Sequence, residues 1–279
     1  MVPPTRAPFA HHLVLRLRAD RVIAPGLHER RLLARAVLEM GRDREFLAFG
    51  LADNHLHVQV ISSRGPALRL ARRVGISVTK RLCLPTGFAP THAEPIYTMV
   101  HCRRAFRYVL CQGARHGLET DPDWEGTNLP DLLGLRPVGA HTAAVARRWL
   151  PRLTRQDLLG WAGVGAWPVP GERTVDALWE AALAAAPGVD LRRSGREARR
   201  VRCALVHLAG TRRTTSALAR LLDSGVRTVT RLRAERPHPV WVAALQGQVA
   251  WRARPERGAA GSGVFEDTAS ATPAATPHR

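Results

Sequence analysis

The sequence predicts a small α+β sandwich followed by an all-helical region, and three observations carry that expectation. Strand-like and helix-like apolar patterns alternate over roughly the first 120 residues. No strand-like pattern recurs after that point. The Ala/Leu/Trp-rich and then Arg-rich texture beyond residue 130 reads as helices separated by Pro and Gly. Residues 12–18 (HLVLRLR) put Leu13, Leu15 and Leu17 on one face and Val14, Arg16 and Arg18 on the other, the period of a half-buried strand. Residues 28–41 (HERRLLARAVLEMG) place Leu32, Leu33, Ala36, Val37 and Met40 at helical spacing, and Gly41 supplies a stop. Phe46 to Ile61 is strand-like, with a turn at Asp53-Asn54. Residues 66–83 form a basic amphipathic helix entered by Pro66. Residues 85–95 read as loop, and 99–113 as a second helix ended by Gly113.

These patterns divide the chain into a sandwich domain over 1–128, a helical connector over 129–187, a helical region over 188–254, and a tail over 255–279. The tail lacks apolar periodicity and is expected to be disordered. With 279 residues, 45% of them hydrophobic, and a mean hydropathy of −0.16, the chain can build a sizeable core as a globular protein. No apolar run approaches the ~20 residues that span a bilayer, so no membrane partner is expected, and the N-terminus has no signal-like apolar stretch. Cys83, Cys102, Cys111 and Cys203 show no CxxC spacing, so a reduced, cytoplasmic compartment is expected. The formal charge is +19, which points to a polyanionic partner, most commonly nucleic acid. Lys80 is the sole lysine. An arginine excess of that kind also follows from a GC-rich genome, so the net charge is more informative than the Arg content.

Two constellations carry chemistry. In the strand NHLHVQV (54–60), His55, His57 and Gln59 share one face, and two imidazoles two residues apart can chelate one cation. The plain alternative is a polar strand face with incidental histidines. On the helix over 99–113, a spacing of four aligns Arg104, Tyr108 and Gln112, with Arg115 just beyond. A phenol, an amide oxygen and two guanidiniums on one face suit phosphate-ester chemistry. The plain alternative is a tyrosine packing by its ring. A tyrosine hydroxyl, with a pKa of about 10, is a poor nucleophile until its target phosphate is polarised. A cation held by neutral imidazoles keeps its charge for that purpose. Mg²⁺ and Mn²⁺ both suit such ligands.

Taken together, the first strand with His11-His12, the run DNHLHVQV and the later run FRYVLCQGARHGL resemble the REP-associated tyrosine transposases, within the HUH single-strand transposase and nuclease superfamily. The resemblance covers roughly residues 8–128. It implies a small antiparallel-sheet sandwich of ferredoxin-like or RRM-like type, and cleavage and rejoining of single-stranded hairpin DNA through a 5′-phosphotyrosine. It further implies Tyr108 as nucleophile, and His55, His57 and Gln112 as ligands of Mg²⁺ or Mn²⁺. Two departures stand out: Asp53 precedes Asn-His where the family has Pro, and Gln112-Gly113 replaces Asn-Pro. Arg115 matches a family arginine and is a candidate phosphate contact. Relatives include dimers, so a homodimer is an open assembly.

In the C-terminal region, helices are expected over 198–209, 214–222 and 227–236, with a turn at Asp223-Ser224-Gly225. That layout fits a helix-turn-helix presenting Arg227, Thr228, Arg231 and Arg233 to DNA. A generic helical bundle with solvated arginines is the plain alternative. Arg16, Arg18, Arg69, Arg72 and Arg73 are further candidates for salt-dependent DNA affinity. Besides the transposase reading, a replication-initiator-type nickase and a non-catalytic DNA-binding regulator remain open.

Overall fold

Four antiparallel strands form one sheet in the order β2-β3-β1-β4: β1 (Ala10–Arg16), β2 (Phe46–Leu51), β3 (His55–Ile61) and β4 (His92–Ile96). The computed structural model describes residues 7–112, 121, 123–169, 174–211 and 213–254. Helices α1 (Leu27–Gly41) and α2 (Arg64–Arg81) cover one sheet face, where Leu13, Leu15, Leu17, Leu56, Val58 and Val60 join Leu33, Val37, Leu70 and Val74 in a single core. Helix α3 (Met99–Leu110) crosses the other face through Cys102, Phe106 and Val109. The alternation read from residues 12–18 therefore sorts side chains between two layers, and it moves His12, Val14 and Arg16 onto the α3 side.

One expected loop contains a strand. Residues 92–96 (HAEPI) pair with β1, with Val14 opposite His92 and His12 opposite Glu94. Neither alternation nor β-propensity marks this segment, and Pro95 argues against a central strand. An edge position, where one side of the backbone has no ladder to complete, accommodates it. The opposite edge, β2, is wholly buried because segment 126–128 runs along it. Leu51 N–H donates to Gly126 O at 2.9 Å, and Asn128 both accepts from Phe49 N–H and donates to Leu47 O. Covering an edge in this way removes a pairing surface. A bulge at Leu47 lets Leu47 and Ala48 both face α3 while Phe46 and Phe49 face α1 and α2.

Beyond the sheet, α4 (Leu129–Leu132), α5 (Ala140–Trp149) and α6 (Arg155–Trp161) enlarge the α3-side core. Helices α7 (Val175–Ala185), α8 (Arg196–Ala209), α9 (Thr215–Leu221), α10 (Val226–Ala234) and α11 (Pro239–Arg252) enclose a second core built from Ala, Leu, Val and Trp241. Helix α9 is capped by Thr214, whose hydroxyl accepts from Ala217 N–H. A short turn through Asp223 (φ 47°) then leads into α10. The two cores are tied by α11. Trp251 at its end is buried in the sheet-side core, and Arg252 pairs with Asp123 and Glu125. Arg31 of α1 donates to Glu125 at 2.6 and 3.0 Å and reaches Glu180 of α7, while Arg35 reaches Glu197 of α8. Among the described residues no helix is long and apolar enough to cross a membrane. All four cysteines are free. The segment 255–279 and Arg115 lie outside the described residues.

Candidate functional site

The α3-side sheet face would ordinarily be apolar throughout, but its middle carries His12, His57 and Gln59, all buried. Burying polar groups of this kind costs about 1–3 kcal/mol each unless they are hydrogen-bonded. Here they pair with one another or with the helix above. The His12 and His57 rings are nearly parallel with centroids 5.1 Å apart and meet edge to edge, with His12 Nε2 and His57 Nδ1 2.8 Å apart. His55 meets His57 edge-on at 4.7 Å. Tyr108, half-buried in the last turn of α3, stands edge-on to both His57 (5.5 Å) and His12 (5.6 Å). Thus the phenol and three imidazoles from β1, β3 and α3 form one cluster.

Glycine makes that approach feasible. Gly50 on β2 lies opposite His57 in the ladder, and a methyl group there would collide with the Val109 carbonyl of α3. The same space is lined by Gln112, one turn beyond Tyr108. Its amide N–H donates to Tyr108 O at 2.9 Å, and its oxygen is buried with no hydrogen-bond partner among the described residues.

The histidines are also oriented from behind. Asn54 donates to Asp20 Oδ1 at 3.2 Å, which turns its own Oδ1 toward His55 Nδ1 at 3.1 Å. His12 Nδ1 lies 3.3 Å from Glu94 Oε2 on the edge strand β4, and His101 of α3 sits 3.7 Å from the other oxygen of Glu94. Burial pushes the His12 pKa down, against the pull of Glu94. Among the described residues no group of three or more His, Cys, Asp and Glu is arranged to hold a metal ion. Two imidazoles together with the buried Gln112 oxygen are a chemically suitable set for Mg²⁺ or Mn²⁺, with solvent completing the shell. The nearby Cys102 thiol, pushed up to about 11 by burial, is held in its unreactive form.

The remaining expected residues separate into groups. Arg16 sits opposite His55 in the β1–β3 register and is exposed beside the cluster. Arg18 is exposed just past β1, where its N–H donates to Gly87 O. Arg104 is exposed one turn before Tyr108 on α3. Arg69, Arg72 and Arg73 lie on α2, so the sheet separates them from Tyr108. Arg227, Thr228 and Arg231 are exposed on α10. Arg233, also exposed, donates to Thr215 Oγ1 at 3.0 Å and to the Arg213 and Gly210 carbonyls, and so braces the loop into α9.

Sequence reasoning missed Glu94 altogether and gave His12 no role beyond its place on the first strand. A signal existed for His12, since its phase puts it opposite Leu13 and Leu15. Its partner depends on strand register, which no local pattern carries.

No protein-family model matches this chain, and no curated protein matches it. Among solved structures, a REP-associated tyrosine transposase bound to a REP hairpin is similar over 48% of this chain and 85% of that chain, at 18% sequence identity and a TM-score of 0.38.

Proposed function

We propose that the protein is a metal-dependent single-stranded DNA endonuclease and strand transferase, with Tyr108 as nucleophile and hairpin-forming DNA as substrate. The observation that carries this reading is the convergence of Tyr108 with His57 and His12 at 5.5–5.6 Å on one buried sheet face. A plain structural tyrosine needs no such company, and three imidazoles are an expensive lining for a core. His55, His57 and Gln112 would hold the cation, which when bound polarises the scissile phosphate.

Tyr108 Oη attacks the phosphorus in line and loses its proton to solvent. The P–O3′ bond breaks, and the departing O3′ takes up a proton to become a free 3′-OH. The product is a 5′-phosphotyrosine that retains the energy of the phosphodiester. A second DNA 3′-OH reverses the step, forming a new P–O3′ bond while Tyr108 regains its proton, so strands rejoin without ATP. Arg16, opposite His55 on β1, and Arg104, one turn before Tyr108, are both exposed and would bind flanking phosphates. Helices α8–α10 would act as a helix-turn-helix, with Arg227 and Arg231 on the duplex stem. The net charge of +19 supports DNA as the partner.

A second reading rests on α10 itself. Its exposed Arg227, Thr228 and Arg231 would also suit a regulator that binds DNA without cutting it. Incubating the full chain with 3′-labelled hairpin oligonucleotides and Mn²⁺, followed by denaturing electrophoresis, separates the two. The transposase reading expects a labelled protein band that disappears with EDTA and in Tyr108→Phe. Tight binding of the same hairpins with no band in any flanking sequence would favour the regulator.

A further inference from the structure

We infer that His12 and Glu94 are positioning residues that lock the tautomer of His57 and so present its Nε2 lone pair to a divalent cation. This inference rests on the metal-site reading proposed above and assigns a role to two residues outside that ligand set.

An imidazole offers a metal one lone pair, and its other nitrogen then carries the proton and needs an acceptor. His57 Nδ1 lies 2.8 Å from His12 Nε2. For His57 to ligate through Nε2, its Nδ1–H must donate to His12, so His12 Nε2 must be the acceptor. A neutral His12 then carries its only proton on Nδ1, and that nitrogen faces Glu94 Oε2 at 3.3 Å. A carboxylate has no proton to give and can only accept. The chain Glu94–His12–His57 therefore ends on the one group that dictates every tautomer along it, and all of them come out consistent with metal binding.

The groups around Glu94 fit this assignment. His101 from α3 approaches the other carboxylate oxygen at 3.7 Å, which leaves Oε2 to His12. Register places the two residues without strain, since His12 stands directly opposite Glu94 on β1 and β4. His12 could instead be a third imidazole ligand. Both His12 nitrogens are already engaged, Nε2 with His57 Nδ1 at 2.8 Å and Nδ1 with Glu94 Oε2 at 3.3 Å, so neither is left to ligate, which argues for the relay.

The test is Mn²⁺ binding by the full chain without DNA, read as affinity by EPR titration and as the number of bound imidazoles by electron spin-echo spectroscopy. Wild type should show two coordinated imidazoles. His12→Asn and Glu94→Ala should each weaken Mn²⁺ by about 10–100-fold, the usual cost of losing an outer partner, and still show two. Glu94→Gln keeps an acceptor oxygen and should recover most of the affinity. Glu94 is half-exposed on an edge strand, so its variants remain informative if His12→Asn fails to fold. Affinities within twofold of wild type in both Glu94→Ala and a folded His12→Asn would overturn the relay while leaving the metal site standing. Three imidazoles in wild type, or one fewer in His12→Asn, would overturn it by making His12 a ligand. A wild-type protein that binds no Mn²⁺ would overturn the metal site itself and the relay with it.

Discussion

The sheet domain and the C-terminal helical bundle treat polar groups in opposite ways. Under α3, His12, His57, Gln59 and Gln112 are buried and paired across strands or to backbone. In the bundle core, among the described residues from 174 on, Gln248 is the one fully buried polar residue, and the arginines of α9 and α10 are exposed. Hydrophobic burial alone stabilises a bundle of this kind, and its interior tolerates volume-conserving changes. The sheet face gains nothing in stability from imidazoles that leucines would not supply. The contrast separates a region shaped by packing from one shaped by chemistry. Between them lies a seam of buried charge, Arg31, Glu125, Arg252 and Asp123, which holds the bundle against α1 and the segment that follows the site.

Substitutions in four places break or sharpen this contrast, at Tyr108, at Glu125, at Gly50 and on the surface of α10, in decreasing order of expected effect. Tyr108→Phe should abolish covalent capture of DNA and leave the circular dichroism spectrum unchanged, since only a hydroxyl at a half-buried ring is lost. Glu125→Ala removes one partner of a buried network and should cost about 3–5 kcal/mol in urea unfolding. The same carboxylate sets an acid limit. Burial alone would raise its pKa, but Arg31, with Arg252 and Arg136, carries it below the ordinary value of 4.5. A depressed carboxylate stabilises the fold above that value and loses its contribution as pH falls below it. The stability gap between wild type and Glu125→Gln should therefore be widest at neutral pH and shrink below about pH 4.5.

Gly50→Ala should cost about 1–3 kcal/mol, because the added methyl meets the Val109 carbonyl and pushes α3 off the sheet. If the sheet face is a working site, the loss in covalent adduct should exceed what the unfolded fraction accounts for. An equal loss of both would make α3 a purely structural helix. The smallest effect is expected on the bundle surface. Arg227→Ala combined with Arg231→Ala should lower duplex affinity and reduce the slope of log K against log salt by roughly 2. An unchanged slope would mean that α10 does not touch the backbone.

Much of the fold was legible because two periods are easy to separate. The alternation of Leu13, Leu15 and Leu17, and the spacing of Leu33, Val37 and Met40, each report one buried face, and both faces meet in one core. Strand β4 was not legible. His92-Ala-Glu-Pro-Ile has no alternation, and what makes it a strand is a neighbour some eighty residues earlier in the chain. The same limit governs the candidate site. His55 and His57 stand out by local spacing, and so does Tyr108 with Gln112. Glu94 behind His12, and Gly50 beneath Val109, follow only from register and close approach, which are tertiary facts. Arg233 shows the same limit, because a helical wheel places it at the surface, where the structure also leaves it, but gives no sign of its hydrogen bonds to the α9 loop.

The most direct test of the central claim is mass-spectrometric mapping of protein recovered from a Mn²⁺ reaction with hairpin DNA. After nuclease and protease digestion, a nucleotide adduct on the peptide that contains Tyr108 is the predicted result. An adduct on Tyr97, the other tyrosine, which is exposed just ahead of α3, would contradict it, as would cleavage with no protein adduct at all.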